Sequence, residues 1–268
     1  MRVDDGELGM LADTLEKSMS AAAADGSPNV EGVLRDLGWL EMLAEIPSEA
    51  TALVFRLLGE TGTHAGVIND VVLASAGREP GGTIALPYVG GRWVIWERTD
   101  GARSAMDPEL PISTADTGSE VPAAKGRLAL GWWLTGSARA MLRLARQHAV
   151  DRVQFGRPIG SFQAVRHRLA ETLVAVEGAE ATLRVAQSDG TDLACLLGKA
   201  AAGQAALTAA KHCQQVLGGI GFTDEHELHR HVKRTLMLDG LLGSARDLTR
   251  EAGSVIRSRG HAPRLGNL

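Results

Sequence analysis

At 268 residues, with 44% hydrophobic and 22% charged side chains and a formal net charge of −4, the chain can fill one large domain or two small ones. A general basic footprint is missing, which argues against a nucleic-acid partner. The N-terminal MRVDDGELGM carries acids where a secretory leader needs basic and apolar runs, and no segment is read as approaching the ~18 apolar residues of a membrane span, so the expectation is a soluble cytoplasmic protein with no membrane partner.

Leu8, Leu11, Leu15 and Met19 recur at helical spacing and predict a helix over 7–24, ended by Asp25-Gly26-Ser27-Pro28. A second helix is predicted from Val30 to Leu43, and residues 49–74 continue in helical register through Leu53, Leu57, Val67 and Val71. From Gly77 the pattern changes. Thr83–Leu86 and Arg92–Glu97 are the two strand-like runs, with Gly90-Gly91 at the turn, while 102–122 offers little to bury. Helical periodicity resumes from Lys125 to about Val150, with Leu130, Leu134, Met141 and Leu144 inward. After an interruption at 151–163, Ser161 is the expected N-cap of a helix whose inward stripe is Val165, Leu169, Leu173, Val176 and Leu183. An Ala-rich helix spans Leu193–Leu217 and stops at Gly218-Gly219. Shorter helices near 227–238 and 245–258 follow, then a frayed tail at 261–268. The fold class is mainly α: a small N-terminal helical domain (1–76), a strongly reduced β hairpin and linker (77–122), and a C-terminal four-to-five-helix bundle (123–268).

Cys195 and Cys213 fall in apolar helical pattern and read as buried free thiols. His226, His229 and His231 lack the spacing of a helical zinc motif and read as part of a solvated basic face, so no metal site is expected. Gly218-Gly-Ile-Gly221 follows a helix, not a strand, and is no dinucleotide fingerprint. The interruption DRVQFGRPIGSFQ is more informative. Arg152, Gln154, Arg157 and Gln163, set among Gly156, Pro158 and Gly160, suit a phosphate-bearing ligand; the competing reading is that such arginines are solvated or cap a neighbouring helix.

Arg152-x-x-Phe155-Gly-x-Pro-Ile-x-x-Phe-Gln163 and Gln215-x-x-Gly-Gly-x-Gly-Phe222, taken in order, resemble the C-terminal helical domain of the acyl-CoA dehydrogenase family over roughly 121–258. Leu37-Gly-Trp-Leu40 resembles that family's N-terminal domain more weakly. The resemblance implies an FAD flavoprotein in which these motifs reach across an interface to FAD held mainly by a neighbouring subunit. Arg152, Phe155, Gln163, Gln215, Val216, Leu217, Gly218 and Gly219 are then the cofactor-binding candidates. The family's reaction, α,β-desaturation of an acyl-CoA thioester, needs a carboxylate base at one of two positions, which here fall on Gly126 and Leu242. Neither can take a proton, so no catalytic residue is assigned; Asp239 and Asp247 are the nearby acids, each displaced by several residues.

The chain thus resembles the short, active-site-degenerate subunit of α2β2 steroid-type acyl-CoA dehydrogenases. That implies a partner subunit carrying the missing Glu and an acyl-CoA substrate, steroid side-chain esters being one class. Two alternatives stay open: an active homo-oligomer with a displaced base such as Asp239, and a non-enzymatic scaffold.

Overall fold

The computed structural model describes residues 5–98 and 104–262. The first third is helical: α1 (Asp5–Ala24), α2 (Glu31–Asp36), α3 (Trp39–Glu45), α4 (Pro47–Thr61) and α5 (Ile68–Ser75). An antiparallel sheet follows, β1 (Ala85–Tyr88), β2 (Arg92–Trp96) and β3 (Ile112–Ala115), in the order β1-β2-β3. The remainder is a bundle of three long helices, α6 (Ala124–Asp151), α7 (Gln163–Asp189) and α8 (Asp192–Leu217), closed by α9 (Leu228–Gly240) and α10 (Ala245–Arg259).

Small residues set the bundle's geometry. Gly59 of α4 and Gly136 of α6 cross with no room between them: a Cβ on Gly136 would overlap the Arg56 carbonyl oxygen, and one on Gly59 the Trp133 carbonyl oxygen. Leu183, near the end of α7, packs on Gly131 near the start of α6 and on Gly198 near the start of α8. The three long helices therefore alternate in direction. The C-termini of α6 and α8 and the N-terminus of α7 share one end of the bundle.

One core runs through all of this. Trp39, Phe55, Trp133 and Trp96 form a buried aromatic series from α3 through α4 and α6 to β2, with successive ring centroids 6.2, 5.7 and 5.3 Å apart. A polar joint lies beside it. Arg234 of α9 is buried, donates to Asp107 at 2.6 Å and to the carbonyls of Gly62 and Thr63 at 3.3 and 3.0 Å, and so ties the bundle to the N-terminal helices and to the 104–110 loop.

The mainly α class and the reduced β region are as the sequence implies, but several details differ. Gly38 takes a left-handed conformation (φ 78) and divides the predicted 30–43 helix into α2 and α3. Gly62 (φ 71) ends α4, so 49–74 is two helices joined through a loop in which His64 pairs with Asn29. The sheet has a third strand, and the stretch after it is not idle. Asp107, Leu110 and Ile112 are buried, although residues 102 and 103 lie outside the described range. Phe162, not Ser161, is the N-cap residue of α7, because 159–161 forms a 3-10 turn; Leu173 lies 44% exposed, not inward. His231 and Arg234 belong to the core, which corrects the expectation of a wholly solvated basic face. The segment Asp192–Phe222 does contain an 18-residue window long and apolar enough for a membrane span, contrary to the sequence reading; that window is 67% buried, as the central core helix of the bundle. Cys195 and Cys213 are free and buried as expected. The predicted tail falls mostly on 263–268, outside the described residues.

Candidate functional site

At the end of the bundle where α6 stops, the chain turns back on itself. Val153–Gln154 and Arg157–Pro158 form a two-residue ladder, and the turn between them places Phe155 and Gly156 at φ 55 and 77. A non-glycine residue is held in the left-handed region only when its surroundings insist. Here Ile159 N–H donates to Arg152 O at 2.8 Å, Arg157 stacks on the Phe162 ring at 4.3 Å, and Phe155 and Phe162 meet edge to face at 6.0 Å. The result is a shaped projection. The Phe155 side chain is 91% exposed, and Arg152 extends beside it with no carboxylate within ion-pair reach among the described residues.

Gln163 opens α7 at the same end, exposed. Gln215 is exposed on the last turn of α8, whereas Val216 and Leu217 turn inward and offer the surface only their backbone. Gly218 (φ 67, ψ −141) swings the chain into a 3-10 turn over 218–222, and a Cβ built on Gly218 or Gly219 meets nothing within 4 Å. The two motif regions converge. They share the end of the bundle where α6 and α8 stop and α7 begins; there burial first, and then the charges of His226 and Arg152, hold His148 below the ordinary histidine pKa. A planar cation, an exposed ring, two amides and open glycine backbone fit the anionic and aromatic parts of a nucleotide presented from outside this chain.

The other end of α6 is closed. A Cβ on Gly126 would lie 2.6 Å from Leu242 Cδ1 and 3.0 Å from Val72 Cγ2. Leu242 is itself buried at φ 56; its N–H donates to Pro87 O at 2.8 Å and its carbonyl accepts from Arg127 Nε at 3.1 Å. The two positions that a base could occupy thus touch each other and are filled with hydrocarbon. Tyr88 completes the plug, its ring against Gly240 and its hydroxyl donating to Met237 Sδ at 3.4 Å.

The nearby acids are engaged elsewhere. Asp239 Oδ1 accepts from Ala245 N–H at 3.0 Å and abuts Gly203, while Asp247 forms the α10 cap with Ser244, whose hydroxyl lies 2.7 Å from Asp247 Oδ2. Lys199 is fully buried beneath this loop and donates to Asp239 O at 2.9 Å and Gly243 O at 2.6 Å; desolvation lowers its pKa to about 7. Sequence reasoning passed over Lys199 and Tyr88. Being the only charge between Asp192 and Lys211 of α8 was the available signal for the first, and being the only tyrosine for the second. Along a straight helix, the 26 residues from Gly126 to Arg152 separate the two ends by about 39 Å.

Residues 121–251 match the family model for the acyl-CoA dehydrogenase C-terminal domain. Among curated proteins the chain is similar to acyl-CoA dehydrogenase FadE34 of Mycobacterium tuberculosis, 33% identical over 209 residues, which is 69% of this chain. The match spans only 29% of that relative's length. Among solved structures it is similar to the Tcur3481-Tcur3483 steroid ACAD G363A variant (TM-score 0.73, 21% identity, covering 95% of this chain and 99% of that one). It is also similar to the ChsE4-ChsE5 complex of Mycobacterium tuberculosis (TM-score 0.70, 17% identity, covering 98% and 99%). At such identities the structural likeness shows the fold.

Proposed function

Because this chain belongs to the acyl-CoA dehydrogenase family, we propose that it is the non-catalytic subunit of a heteromeric, FAD-dependent acyl-CoA dehydrogenase, completing a flavin site held mainly by a second, glutamate-bearing subunit. One observation carries the reading: Arg152, Phe155, Gln163 and Gln215 stand exposed at one end of α6 while Gly126 and Leu242 are packed shut at the other. A single flavin cannot serve both ends across about 39 Å of helix. Arg152 is assigned to the cofactor's phosphates as a bidentate donor, Phe155 to one of its ring surfaces, Gln163 and Gln215 to phosphate or ribose oxygens, and the Val216–Gly219 backbone to close contact. When bound, FAD supplies the hydride acceptor for α,β-desaturation of an acyl-CoA thioester. This chain's part is to hold, orient and shield that group, since it positions no acid to take the α-proton.

The two structural neighbours, the Tcur3481-Tcur3483 steroid ACAD and the ChsE4-ChsE5 complex, each pair two differently named components, which supports an assembly of unlike subunits; an α2β2 stoichiometry, a cytoplasmic location and a bulky steroid-type acyl group are part of the proposal. The rival reading with Asp239 as base is disfavoured because its carboxylate is spent on the α10 start. Co-expression with the partner tests the proposal. Arg152→Ala is expected to strip flavin from an otherwise intact complex, and Asp239→Asn to leave turnover per bound flavin within about threefold. Unchanged flavin content in Arg152→Ala would return the chain to the scaffold reading. A yellow, active enzyme from this chain alone would overturn the division of labour.

A further inference from the structure

The second half of α6 and the first turns of α7 are charged unlike the rest of the molecule. From Arg139 to Ala170 there are seven arginines and two histidines against one acid, Asp151, in a chain of net charge −4. Some of this charge gathers round a groove of about 480 Å³ between α6 and α7, floored by Leu142, Leu169 and Leu173 and rimmed by Arg143, Arg146 and Arg166. Leu173 is 44% exposed, and Val174 beside it 71%. No described carboxylate stands within 4 Å of the three rim arginines; Arg143 reaches the carbonyl of Glu60 and Arg166 that of Ser161, each at 3.3 Å.

Four observations define what fits. The groove follows two helices, so the natural filler is the ridge of a third. Its floor is apolar, and an amphipathic helix offers a matching stripe. Its rim is cationic, and the groove already demonstrates the complementary pairing at its far end, where Arg139 takes both Glu177 and Glu180. Finally, Arg146 and Arg166 lie within about two helical turns of Arg152 and Gln163, so a subunit that brings a nucleotide to those residues, as proposed above, comes within reach of the groove. We infer that the groove seats an acidic amphipathic helix of the partner subunit, about three turns long, with Asp or Glu side chains on Arg146 and Arg166 and an apolar residue on Leu173.

This rests on the proposed heteromer, and the experiment separates the two. Affinity is measured between this chain and the purified flavin-carrying subunit at low salt and at about 0.3 M salt, with circular dichroism confirming that each variant is folded. Arg146→Glu/Arg166→Glu and, separately, Leu173→Asp are expected to weaken assembly about tenfold or more. The arginine loss should shrink at high salt, Arg146→Lys/Arg166→Lys should retain most affinity, and flavin per assembled complex should be unchanged. Arg152→Ala should behave oppositely, assembling normally and losing flavin. Equal affinity for wild type and both groove variants overturns the inference and leaves the heteromer standing. Groove variants that break self-association of this chain without touching the heteromer also overturn it, assigning the groove to a second copy. A wild-type chain that assembles with no flavoprotein sinks both.

Discussion

Gly126 and Leu242 are understood better as a packed pair than as two absent acids. Glycine inside α6 normally costs roughly 0.5–1 kcal/mol relative to alanine, so Gly126→Ala should be a stabilising change on helix propensity alone. Packing reverses the sign. The added methyl would meet Leu242 Cδ1 at 2.6 Å, and that side chain cannot retreat, because its backbone is held by Pro87 and Arg127. Overpacking of this kind costs about 1–3 kcal/mol, so Gly126→Ala is expected to lower stability by about 1–2 kcal/mol in urea denaturation. Leu242→Ala alone should cost about 3 kcal/mol through the cavity it leaves. Combined, the new methyl enters the vacated space, and the double variant should be at least ~1 kcal/mol more stable than the sum of the singles. Strict additivity would show that the two positions do not touch. The same geometry says that Gly126→Glu buries an unpaired carboxylate among Ile68, Val72 and Leu242, so placing an acid there alone should give no turnover.

Helices α4 and α6 hold the N-terminal helices on the bundle through backbone contact at Gly59 and Gly136, and a methyl at 136 meets backbone, the Arg56 carbonyl and Gly59 Cα. Backbone yields less than a side chain does, so Gly136→Ala is expected to lose about 3 kcal/mol or more, against about 1 kcal/mol gained from helix propensity, with a thermal midpoint several degrees lower. Such crossings also explain what could be read from sequence. The long helices α6 and α7 were legible because Leu130, Leu134, Met141, Val176 and Leu183 repeat at helical spacing over many turns, and α8 because an Ala-rich run ends at Gly218-Gly219. The breaks at Gly38 and Gly62 were not, since apolar register continues past both and only the backbone conformation interrupts it. Ile112–Ala115 was passed over because four residues without clear alternation become a strand only when β2 supplies the pairing. Arg152, Phe155, Gln163 and Gln215 were legible as parts of a loop and a helix end, and positions 126 and 242 as carrying no acid. That these two positions pack on each other, and that Lys199 pins the loop beneath them, depends on residues over a hundred and about forty positions apart brought together by packing.

The whole molecule's dependence on pH follows from the joint between its two helical parts. His64, on the loop after α4, and His231, on α9, flank Arg234, and each is driven to a pKa of about 3, first by burial and then by the charge of Arg234. Between pH 3 and the ordinary histidine value near 6.5 the unfolded chain binds these two protons and the folded one does not, so stability is present above about pH 6.5 and is lost as pH falls through that window. At its steepest, two such groups give about 2.7 kcal/mol per pH unit. Lys199 works in the same direction on the other side of neutrality. Its folded pKa of about 7 lies below the unfolded value near 10.4, so the folded chain sheds the proton first and stability rises as pH climbs between them. The stability maximum should therefore fall on the alkaline side of pH 7. His64→Gln/His231→Gln is expected to flatten the acid limb between about pH 4 and 6.5 while leaving the alkaline limb intact, and Lys199→Met to do the reverse. Urea midpoints measured from about pH 4 to about pH 10 check both. An acid limb equally steep in the double histidine variant would mean that the joint at Arg234 does not open by protonation of these two histidines.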